Sequence, residues 1–410
     1  MIHSPREFTD DWRPDFVLRC APDYAGQAIY VIPDSPMNLL MIGGDRAILR
    51  GMTGPYWHTL RYLRKEWDRI DVIVPKAPRA GSQQIDFSEP GGEVWFHPNP
   101  RGLWSQIGWI KKQGDKLLRE RQYDLMTVHL YAPFYASKGA LRMSRGNVPM
   151  LLELHGLPGV PKAVGLTDRI GAYLSRTAIP QAAAKAKAIR VVNSRLKGVL
   201  SDMRIPLNKI HIVPAIYLDQ SEYEAPLPLE RRTKDVVFCG RLDRNKGVLE
   251  VLKAVAAIPS LRAVIIGDGP FRAKCERFIE KHNLAERITL TGWLADHRQL
   301  IEKIRASQML VMCSKYEGGP RVVFEALACG TVPIVTRVGL VPEVINNDEN
   351  GVFTTGDVAD LQAKISALGQ DQARWRRLSA AGPGSVFPRF DRQNTLRGYA
   401  NFLQQIAKTS

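Results

Sequence analysis

Short apolar runs alternate with amphipathic stretches along most of the chain, in the order expected of strands and helices. The runs with the length of a buried parallel strand are residues 38–43, 71–74, 93–97, 125–129, 150–154, 188–192, 236–239, 263–266, 288–291, 309–313 and 332–335. Helical periodicity fills several of the intervals, most clearly at residues 56–67, 104–121 and 394–408. Because strands that alternate with helices form parallel sheets, the pattern predicts an α/β protein.

A segment with Pro226, Pro228 and alternating charges interrupts this series between residues 214 and 235, as linkers do. A chain of 410 residues is also too long for one typical core. We therefore predict the following division of the chain: an N-terminal domain over 1–215 whose residues 1–37 form an irregular arm, a C-terminal domain over 216–388, and a final helical segment over 389–410.

The candidate chemistry is concentrated in residues 314–330, directly after the apolar run at 309–313. Gly318 and Gly319 supply a tight turn, and Pro320 suits the first position of a helix, where its missing N–H costs nothing. A strand, a glycine turn and a helix start present backbone N–H groups and a positive dipole end at one place. That combination predicts an anion site.

Two carboxylates bracket this turn. Glu317 precedes it, and Glu325 lies eight residues later among apolar neighbours. A buried carboxylate is costly unless groups donate hydrogen bonds to it, and sugar hydroxyls are such donors. The alternative is a structural glutamate paired with an arginine or with backbone amides, but the turn and the second glutamate favour a ligand site.

A second glycine-flanked loop, GRLDRNKG over residues 240–247, follows the apolar run at 236–239. Arg241 offers a planar fork for phosphate oxygens and Lys246 a point charge. In the first half, His155 ends the run at 150–154 and precedes Gly156, at the sheet edge where parallel sheets bind ligands. His129 ends the preceding run in the same way.

Taken with their flanks, Glu317, Gly318, Pro320, Glu325 and Gly330 resemble the E-x7-E region of retaining glycosyltransferases of the GT-B fold, the family 4 type. Gly319 departs from that pattern, because an apolar or aromatic residue is common there. The loop at 240–247 resembles the diphosphate clamp of the same family, and ELHG, which contains His155, resembles its histidine near the transferred sugar. The resemblance implies two Rossmann-like doubly wound parallel-sheet domains that face each other across a cleft, with a C-terminal helix returning to the first domain.

The resemblance further implies a retaining enzyme that moves a hexose-type sugar from a UDP- or GDP-sugar to a glycan or lipid-linked acceptor, as in polysaccharide biosynthesis. The implied catalytic residues are His155, Glu317, Arg241 and Lys246. The implied donor-binding residues are Gly240, Arg241, Lys246, Gly267, Trp293, Glu317, Gly318, Gly319, Pro320, Arg321, Val322 and Glu325. The implied acceptor-side residues are Gly51, Gly54 and His129. Since no D-x-D motif follows an apolar strand, we expect no metal requirement and no permanently bound cofactor.

The net charge of +16 bears on what kind of partner the protein binds. Residues 101–200 hold 17 Lys and Arg against 5 Asp and Glu, a net charge of +12, which implies an anionic partner. Trp104 and Trp109 stand near Lys111, Lys112 and Lys116, a combination found on helices that dock on membranes. An ordinary helix with a solvated basic face has the same pattern.

Two other classes of function were weighed. A basic nucleic-acid-binding α/β protein would explain the charge, but it would leave Glu317, Glu325 and the glycine loops without a purpose. An oxidoreductase with a dinucleotide cofactor is excluded, because the first apolar run is not followed by G-x-G-x-x-G.

The remaining composition points to a cytoplasmic protein. Hydrophobic residues make up 45% of the chain, no apolar segment approaches the roughly 20 residues that span a bilayer, and the first residues lack the apolar core of a secretory signal. The five cysteines are scattered and odd in number, which favours reduced thiols. Peripheral attachment to the inner face of the cell membrane stays open on the strength of the basic half.

Overall fold

The computed structural model describes residues 36–79, 81–160 and 163–408. The strands of its first sheet are β1 (Asn38–Ile42), β2 (Arg69–Val74), β3 (Gln83–Gln84), β4 (Glu93–Pro98), β5 (Leu125–His129), β6 (Met150–Leu154), β7 (Ala188–Val191) and β8 (Ile210–Ile212). The strands of its second sheet are β9 (Lys234–Cys239), β10 (Ala263–Ile266), β11 (Ile288–Gly292), β12 (Ser307–Met312), β13 (Val332–Val335) and β14 (Val352–Phe353). The predicted arm over residues 1–37 lies outside the described residues except for its last two.

Helices flank both sheets. They are α1 (Pro55–Leu63), α2 (Gln106–Glu120), α3 (Tyr135–Ala140), α4 (Leu166–Lys185), α5 (Ser194–Asp202), α6 (Val248–Ala256), α7 (Arg272–Lys281), α8 (His297–Arg305), α9 (Arg321–Ala328), α10 (Val358–Gln370), α11 (Gln372–Val386) and α12 (Arg392–Lys408).

The strand that comes first in the chain lies in the middle of each sheet. The strand order runs β3-β4-β2-β1-β5-β6-β7-β8 in the first sheet and β11-β10-β9-β12-β13-β14 in the second. Within the described residues every strand pair is parallel except β3 with β4. The central strands are buried almost throughout, which explains why they read as unbroken apolar runs and not as alternating ones.

The last helix belongs structurally to the first sheet. Tyr399, Phe402 and Leu403 of α12 are buried in one core cluster with Trp67 and Phe96. Burial of three large side chains on one helix face provides the main attraction that holds the chain end here.

The two chain segments that pass between the sheets run side by side. The Leu218 amide donates to the Phe390 carbonyl at 2.7 Å, and the Arg392 amide donates to the Leu218 carbonyl at 2.8 Å. The proposed domain boundaries at 215 and 388 fall next to these crossings, and they stay predictions.

Predicted element boundaries were wrong at several places. The helix predicted over residues 56–67 ends at Leu63, and the helix predicted from Trp104 begins at Gln106, after a 3-10 turn at Leu103–Ser105. Pro320 precedes the first residue of α9, with extended backbone, so it caps the helix from outside. Gly330 does adopt the left-handed conformation, with φ of 63°, beyond the end of α9.

Candidate functional site

The glycine turn between β12 and α9 lies directly against the loop that follows β6. A Cβ on Gly318 would lie 1.6 Å from the carbonyl oxygen of His155, so only glycine fits at this contact. Asn193, which caps α5 with its Oδ1, donates from Nδ2 to the Gly318 carbonyl at 2.7 Å. The fold therefore brings His155 and the glycine turn together, although 162 residues separate them in the chain.

Further hydrogen bonds join the same two sheet edges. The Tyr316 hydroxyl lies 3.0 Å from Asp168 Oδ1, next to the turn. The backbone amide and the hydroxyl of Ser194 both donate to Glu343 Oε1 at 2.7 Å. These polar contacts hold the loops after β6 and β7 against the loops after β12 and β13.

Lys246 and Glu317 form an ion pair at the carboxyl ends of the adjacent strands β9 and β12. The Lys246 ammonium lies 2.5 Å from Glu317 Oε1, and both side chains are largely buried. Because Glu317 immediately precedes Gly318 in the chain, this ion pair lies next to the contact between Gly318 and His155.

Arg241 stands beside this pair as an exposed cation. Its side chain is 69% accessible, with Asp243 Oδ2 3.3 Å from its Nε. Behind it, Gly267 adopts a φ of 135°, and a Cβ there would lie 1.9 Å from the Gly240 carbonyl oxygen. Gly240 and Gly267 thus allow the ends of β9 and β10 to pack closely beside Arg241.

Glu325 is almost fully buried in α9 and accepts two hydrogen bonds at one oxygen. His297 Nε2 lies 2.9 Å and Arg321 Nε 2.8 Å from Glu325 Oε1. Burial alone would raise the pKa of this carboxyl, but His297 and Arg321 outweigh it and lower the pKa below its usual range. Glu325 is therefore ionised. One of its partners is an arginine, Arg321, as expected for the alternative of a structural glutamate.

A second buried carboxylate lies beneath the predicted histidines. Glu153 of β6 accepts hydrogen bonds from Arg190 at 2.6 Å and from the Tyr399 hydroxyl at 2.7 Å. His129 Nε2 and His155 Nε2 lie 3.4 Å and 3.7 Å from its two oxygens. Burial opposes ionisation of Glu153, yet the Arg190 guanidinium with which it is paired keeps its pKa well below the usual range. Burial also lowers the pKa of His129 to about 4, so this imidazole is neutral.

The two histidine rings are stacked beside a cavity. Their centroids lie 5.4 Å apart with the planes 8° from parallel. The cavity has a volume of about 330 Å³ and is open on one side. Besides His129 and His155, its walls include Tyr56, Thr59, Tyr217 and Tyr399. Aromatic walls with a few polar atoms suit a compact polar ligand with apolar faces.

Other predicted residues lie apart from these contacts. Gly51 and Gly54 are in open surroundings and do not line the cavity. Gly319 packs against Ile216, which a Cβ would approach to 2.6 Å. Trp293 follows β11 and is 69% exposed, at the same sheet edge as Gly267. Val322 lies in the first turn of α9 and is partly buried against the core.

The predicted membrane-docking face of α2 needs correction. Trp109 is partly buried against the core and donates from Nε1 to the His97 carbonyl at 3.2 Å, so it does not face solvent. Lys111 pairs with Asp115 and Lys116 pairs with Glu120. Trp104, by contrast, is 98% exposed. Among the described helices, none is long and apolar enough to cross a membrane.

The residues in the described ranges contain no group of three or more His, Cys, Asp or Glu placed to hold a metal ion. Lys246, which pairs with Glu317, and Arg321, which begins α9, are cationic side chains next to the glycine turn.

Sequence reasoning missed four residues that shape this site. Glu153 and Arg190 are charged residues inside apolar strands, and that conflict was a usable signal. Tyr399 and His297 gave no such signal in the sequence, since each contacts its partners only when distant segments of the chain come together.

Two family models match successive parts of the chain. The model of Glycosyltransferase Family 4 matches residues 56–215, and the model of Glycosyl transferases group 1 matches residues 219–384. A sulfoquinovosyl transferase of Arabidopsis thaliana is 30% identical over 354 residues, which cover 80% of this chain and 65% of that protein. An alpha-D-kanosaminyltransferase of Streptomyces kanamyceticus is 24% identical over 310 residues, which cover 69% of this chain and 78% of that protein.

Solved structures of other glycosyltransferases share the architecture. Sucrose-phosphate synthase from Thermosynechococcus elongatus superposes with a TM-score of 0.74 at 19% identity, covering 91% of this chain and all of that one. HepE of Anabaena, solved in complex with UDP and glucose, has a TM-score of 0.69 at 18% identity, covering 90% and 99% of the two chains. Together with the two parallel sheets, these similarities confirm the predicted GT-B fold.

Proposed function

Since this chain belongs to the glycosyltransferases of the GT-B fold and the family 4 type, we propose that it is a metal-independent, retaining enzyme that uses a nucleoside-diphosphate sugar. The sugar is of the hexose type, and the acceptor is a glycan or a lipid-linked glycan. One observation carries the proposal: the Lys246–Glu317 pair, the glycine turn and His155 meet at one point between the two sheets.

The diphosphate binds at the carboxyl ends of β9 and β12. Arg241 is exposed and free to turn toward phosphate oxygens, and Lys246 supplies a second cation. Charge-assisted hydrogen bonds from these groups neutralise the leaving group as its bond breaks, a role that a metal ion plays in other enzymes. The start of α9 adds the positive end of a helix dipole.

Glu325 holds the nucleoside part of the donor. Within the described residues, both hydrogen bonds to its carboxylate end at Oε1, which leaves Oε2 to accept a ribose hydroxyl. Glu317 accepts hydrogen bonds from the hydroxyls of the transferred sugar. His155, which follows β6 of the first sheet, orients that sugar from the other side. Trp293, exposed at the end of β11, offers a flat apolar surface to the base.

The transfer proceeds by attack on the face from which the leaving group departs. The bond between the sugar C1 and the phosphate oxygen breaks, and the diphosphate leaves with the electron pair. The acceptor oxygen bonds to C1 on that face, and its proton passes to a phosphate oxygen. Glu317 is assigned to the hydroxyls of the sugar and not to its C1, so we favour this route over a covalent sugar–enzyme intermediate.

The acceptor enters the cavity beside the stacked histidines. Its volume of about 330 Å³ fits one or two sugar rings, and Tyr56, Tyr217 and Tyr399 offer aromatic faces to them. The predicted acceptor-side loop with Gly51 and Gly54 precedes α1, whose Pro55 lines the cavity, so a longer acceptor extends toward that loop.

The first domain docks on an anionic membrane surface, and the cytoplasm is the corresponding location. Leu166, Ile170 and Tyr173 are exposed at helical spacing on α4, next to Arg169 and Arg176. The exposed Leu103 and Trp104 follow β4, at the same carboxyl edge of the sheet. These residues replace the α2 face as the apolar part of the docking surface, and the +12 charge of residues 101–200 supplies the attraction.

Binding of nucleic acid is the less favoured function, because it gives the buried carboxylates and the glycine loops no role. The test is a calorimetric titration of the protein with UDP, GDP, ADP and CMP in buffer containing EDTA. We expect micromolar binding of one nucleoside diphosphate, followed by hydrolysis of the matching sugar donor. Indifference to all four nucleotides, together with salt-sensitive binding of DNA or RNA, would contradict the proposal.

A further inference from the structure

A histidine outside every motif joins the donor side of the second domain to the segment between the domains. His297 is the first residue of α8. Its Nε2 lies 2.9 Å from Glu325 Oε1, and its Nδ1 lies 3.5 Å from Glu222 Oε2. One imidazole therefore bridges two carboxylates that are 103 residues apart in the chain.

Glu222 is itself part of the crossing between the domains. It ends a 3-10 turn at Gln220–Glu222, four residues after Leu218, whose backbone bonds the returning segment. Arg392, the first residue of α12, lies 2.5 Å from Asp219 and 3.5 Å from Glu222. The ion pairs thus run without a break from α12 through Glu222 and His297 to Glu325.

The bridge requires a particular protonation state. A neutral imidazole carries one N–H and can donate to one carboxylate only, whereas an imidazolium donates from both nitrogens. Both ring nitrogens of His297 face a carboxylate oxygen, so the arrangement fits the imidazolium.

We propose that His297 is a positioning residue for donor binding, which as an imidazolium fixes the Glu325 carboxylate and ties it to the crossing between the domains. This inference rests on the proposed donor site. With Oε1 held by His297 and Arg321, the carboxylate cannot rotate, and Oε2 stays available to a donor hydroxyl. Loss of the proton releases one of the two carboxylates and with it either the orientation of Glu325 or the link to Glu222.

The charged groups that face His297 agree with this assignment. Hydrogen bonds to Glu222 and Glu325 raise its pKa to about 9, against burial and the positive charge of Arg321, which lower it. The pKa values of His58, His129 and His211 are instead lowered, chiefly by burial. Between pH 7 and pH 10, His297 is thus the histidine expected to lose its proton at the donor site.

The direction of the pH dependence follows from the protonation state of His297 that favours donor binding. Below pH 8 the imidazolium prevails and donor affinity is at its maximum. As the pH rises through about 9 the imidazolium is lost, and affinity falls in proportion to its fraction, about tenfold between pH 8 and pH 10. The terminal phosphate of the nucleotide contributes little here, because it loses its last proton near pH 6. The ring N–H of a uracil or guanine base does ionise in the same alkaline range, so the effect of His297 is the difference between the wild-type and His297→Asn profiles.

The experiment measures the dissociation constant of UDP or GDP, whichever binds, from pH 7 to pH 10 by calorimetry. The proteins are the wild type, His297→Asn, Glu222→Gln and the matched control His282→Asn, an exposed histidine of the same domain. We expect the wild type and the control to lose affinity across pH 9. We expect His297→Asn to bind more weakly at pH 7.5 and to lose further affinity up to pH 10 only as far as the nucleotide base ionises, about tenfold less than the wild type. Glu222→Gln should move the loss to lower pH, since one of the two carboxylates that stabilise the imidazolium is gone.

A purely structural histidine would not shift the pH profile in this way. If the wild type binds the nucleotide equally well at pH 8 and pH 10, or if Glu222→Gln leaves the midpoint unchanged, the inference is overturned while the proposed function stands. If the wild type binds none of the nucleotides at any pH, the proposed function fails and takes the inference with it. The wild-type and Glu222→Gln profiles decide the matter even if His297→Asn does not fold.

Discussion

The ammonium of Lys246 lies 2.5 Å from the carboxylate of Glu317, so the cation that we propose to bind phosphate is already paired before any ligand arrives. A diphosphate must share or take over this ammonium. When it does, Glu317 loses part of its partner and turns to the hydroxyls of the sugar. The pair therefore makes binding of the two halves of the donor interdependent.

Removal of either clamp cation should impair transfer. Lys246→Ala and Arg241→Ala each delete a charge-assisted contact worth roughly 1.5–3 kcal/mol, or about 10- to 150-fold in kcat/KM. Lys246→Ala should lower kcat/KM more than Arg241→Ala, because it also leaves the Glu317 carboxylate without its cationic partner. Steady-state kinetics with the donor measure both. Activity within a factor of two of the wild type in both variants would refute the phosphate assignment.

Glu325→Gln tests the nucleoside assignment. The substitution keeps the shape and removes the charge that His297 and Arg321 share. We expect a folded protein with reduced nucleotide affinity, as judged by circular dichroism and calorimetry. A variant that is less stable but binds the nucleotide like the wild type would favour the alternative of a structural glutamate.

Gly318→Ala tests the contact between the two sheets. The added methyl group would lie 1.6 Å from the His155 carbonyl oxygen, so the loops must separate. A displacement of about 1 Å at the reacting centre costs on the order of 100-fold in rate, which we expect in kcat/KM. Gly108→Ala, where a Cβ meets nothing within 4 Å, is the matched control. Full activity of Gly318→Ala would show that the working enzyme does not keep this contact.

Tyr399→Phe tests the role of the returning helix. It keeps the ring, over which Arg190 lies at 3.9 Å, and removes the hydroxyl that donates to Glu153. A buried carboxylate that loses one donor should lower the free energy of unfolding by about 1–3 kcal/mol, measured by urea denaturation. Tyr173→Phe, on an exposed ring, should change nothing. Equal stability of the two variants would contradict the role of Tyr399.

Much of the fold and part of the site could be predicted from the sequence, for identifiable reasons. Parallel strands such as β10 and β13 are buried on both faces, so they appear as unbroken apolar runs with correct limits. The short strands β3, β8 and β14 have two or three residues and leave no such run. Glu317, Lys246 and His155 each lie in the segment that follows a strand, so their common sheet edge could be anticipated.

Other parts of the site depend on contacts that no local pattern reveals. Tyr399 reaches Glu153 across 246 residues, and His297 reaches both of its carboxylates from different segments. For Trp109 the sequence left membrane docking and packing on the sheet both open, because a tryptophan among lysines has the same pattern whether its ring points outward or inward. The hydrogen bond to the His97 carbonyl decides for the inward orientation.

Membrane docking is tested by sedimentation with vesicles that contain anionic phosphatidylglycerol. Ile170→Ser combined with Tyr173→Ser should abolish sedimentation, and reversal of Lys111, Lys112 and Lys116 to Glu should weaken it in a salt-dependent way. Nucleotide binding should be intact in both variants. A wild type that ignores anionic vesicles at low salt yet glycosylates a soluble acceptor would show that the charge serves another purpose.

The central claim is that the two sheets hold a nucleoside-diphosphate sugar for metal-independent transfer with retention. It is tested most directly by proton NMR of the anomeric signals while the protein turns over its donor in EDTA. We predict release of the nucleoside diphosphate and first appearance of a product with the anomeric configuration of the donor. A first product of inverted configuration, or turnover that begins only when a divalent metal is added, would contradict the account.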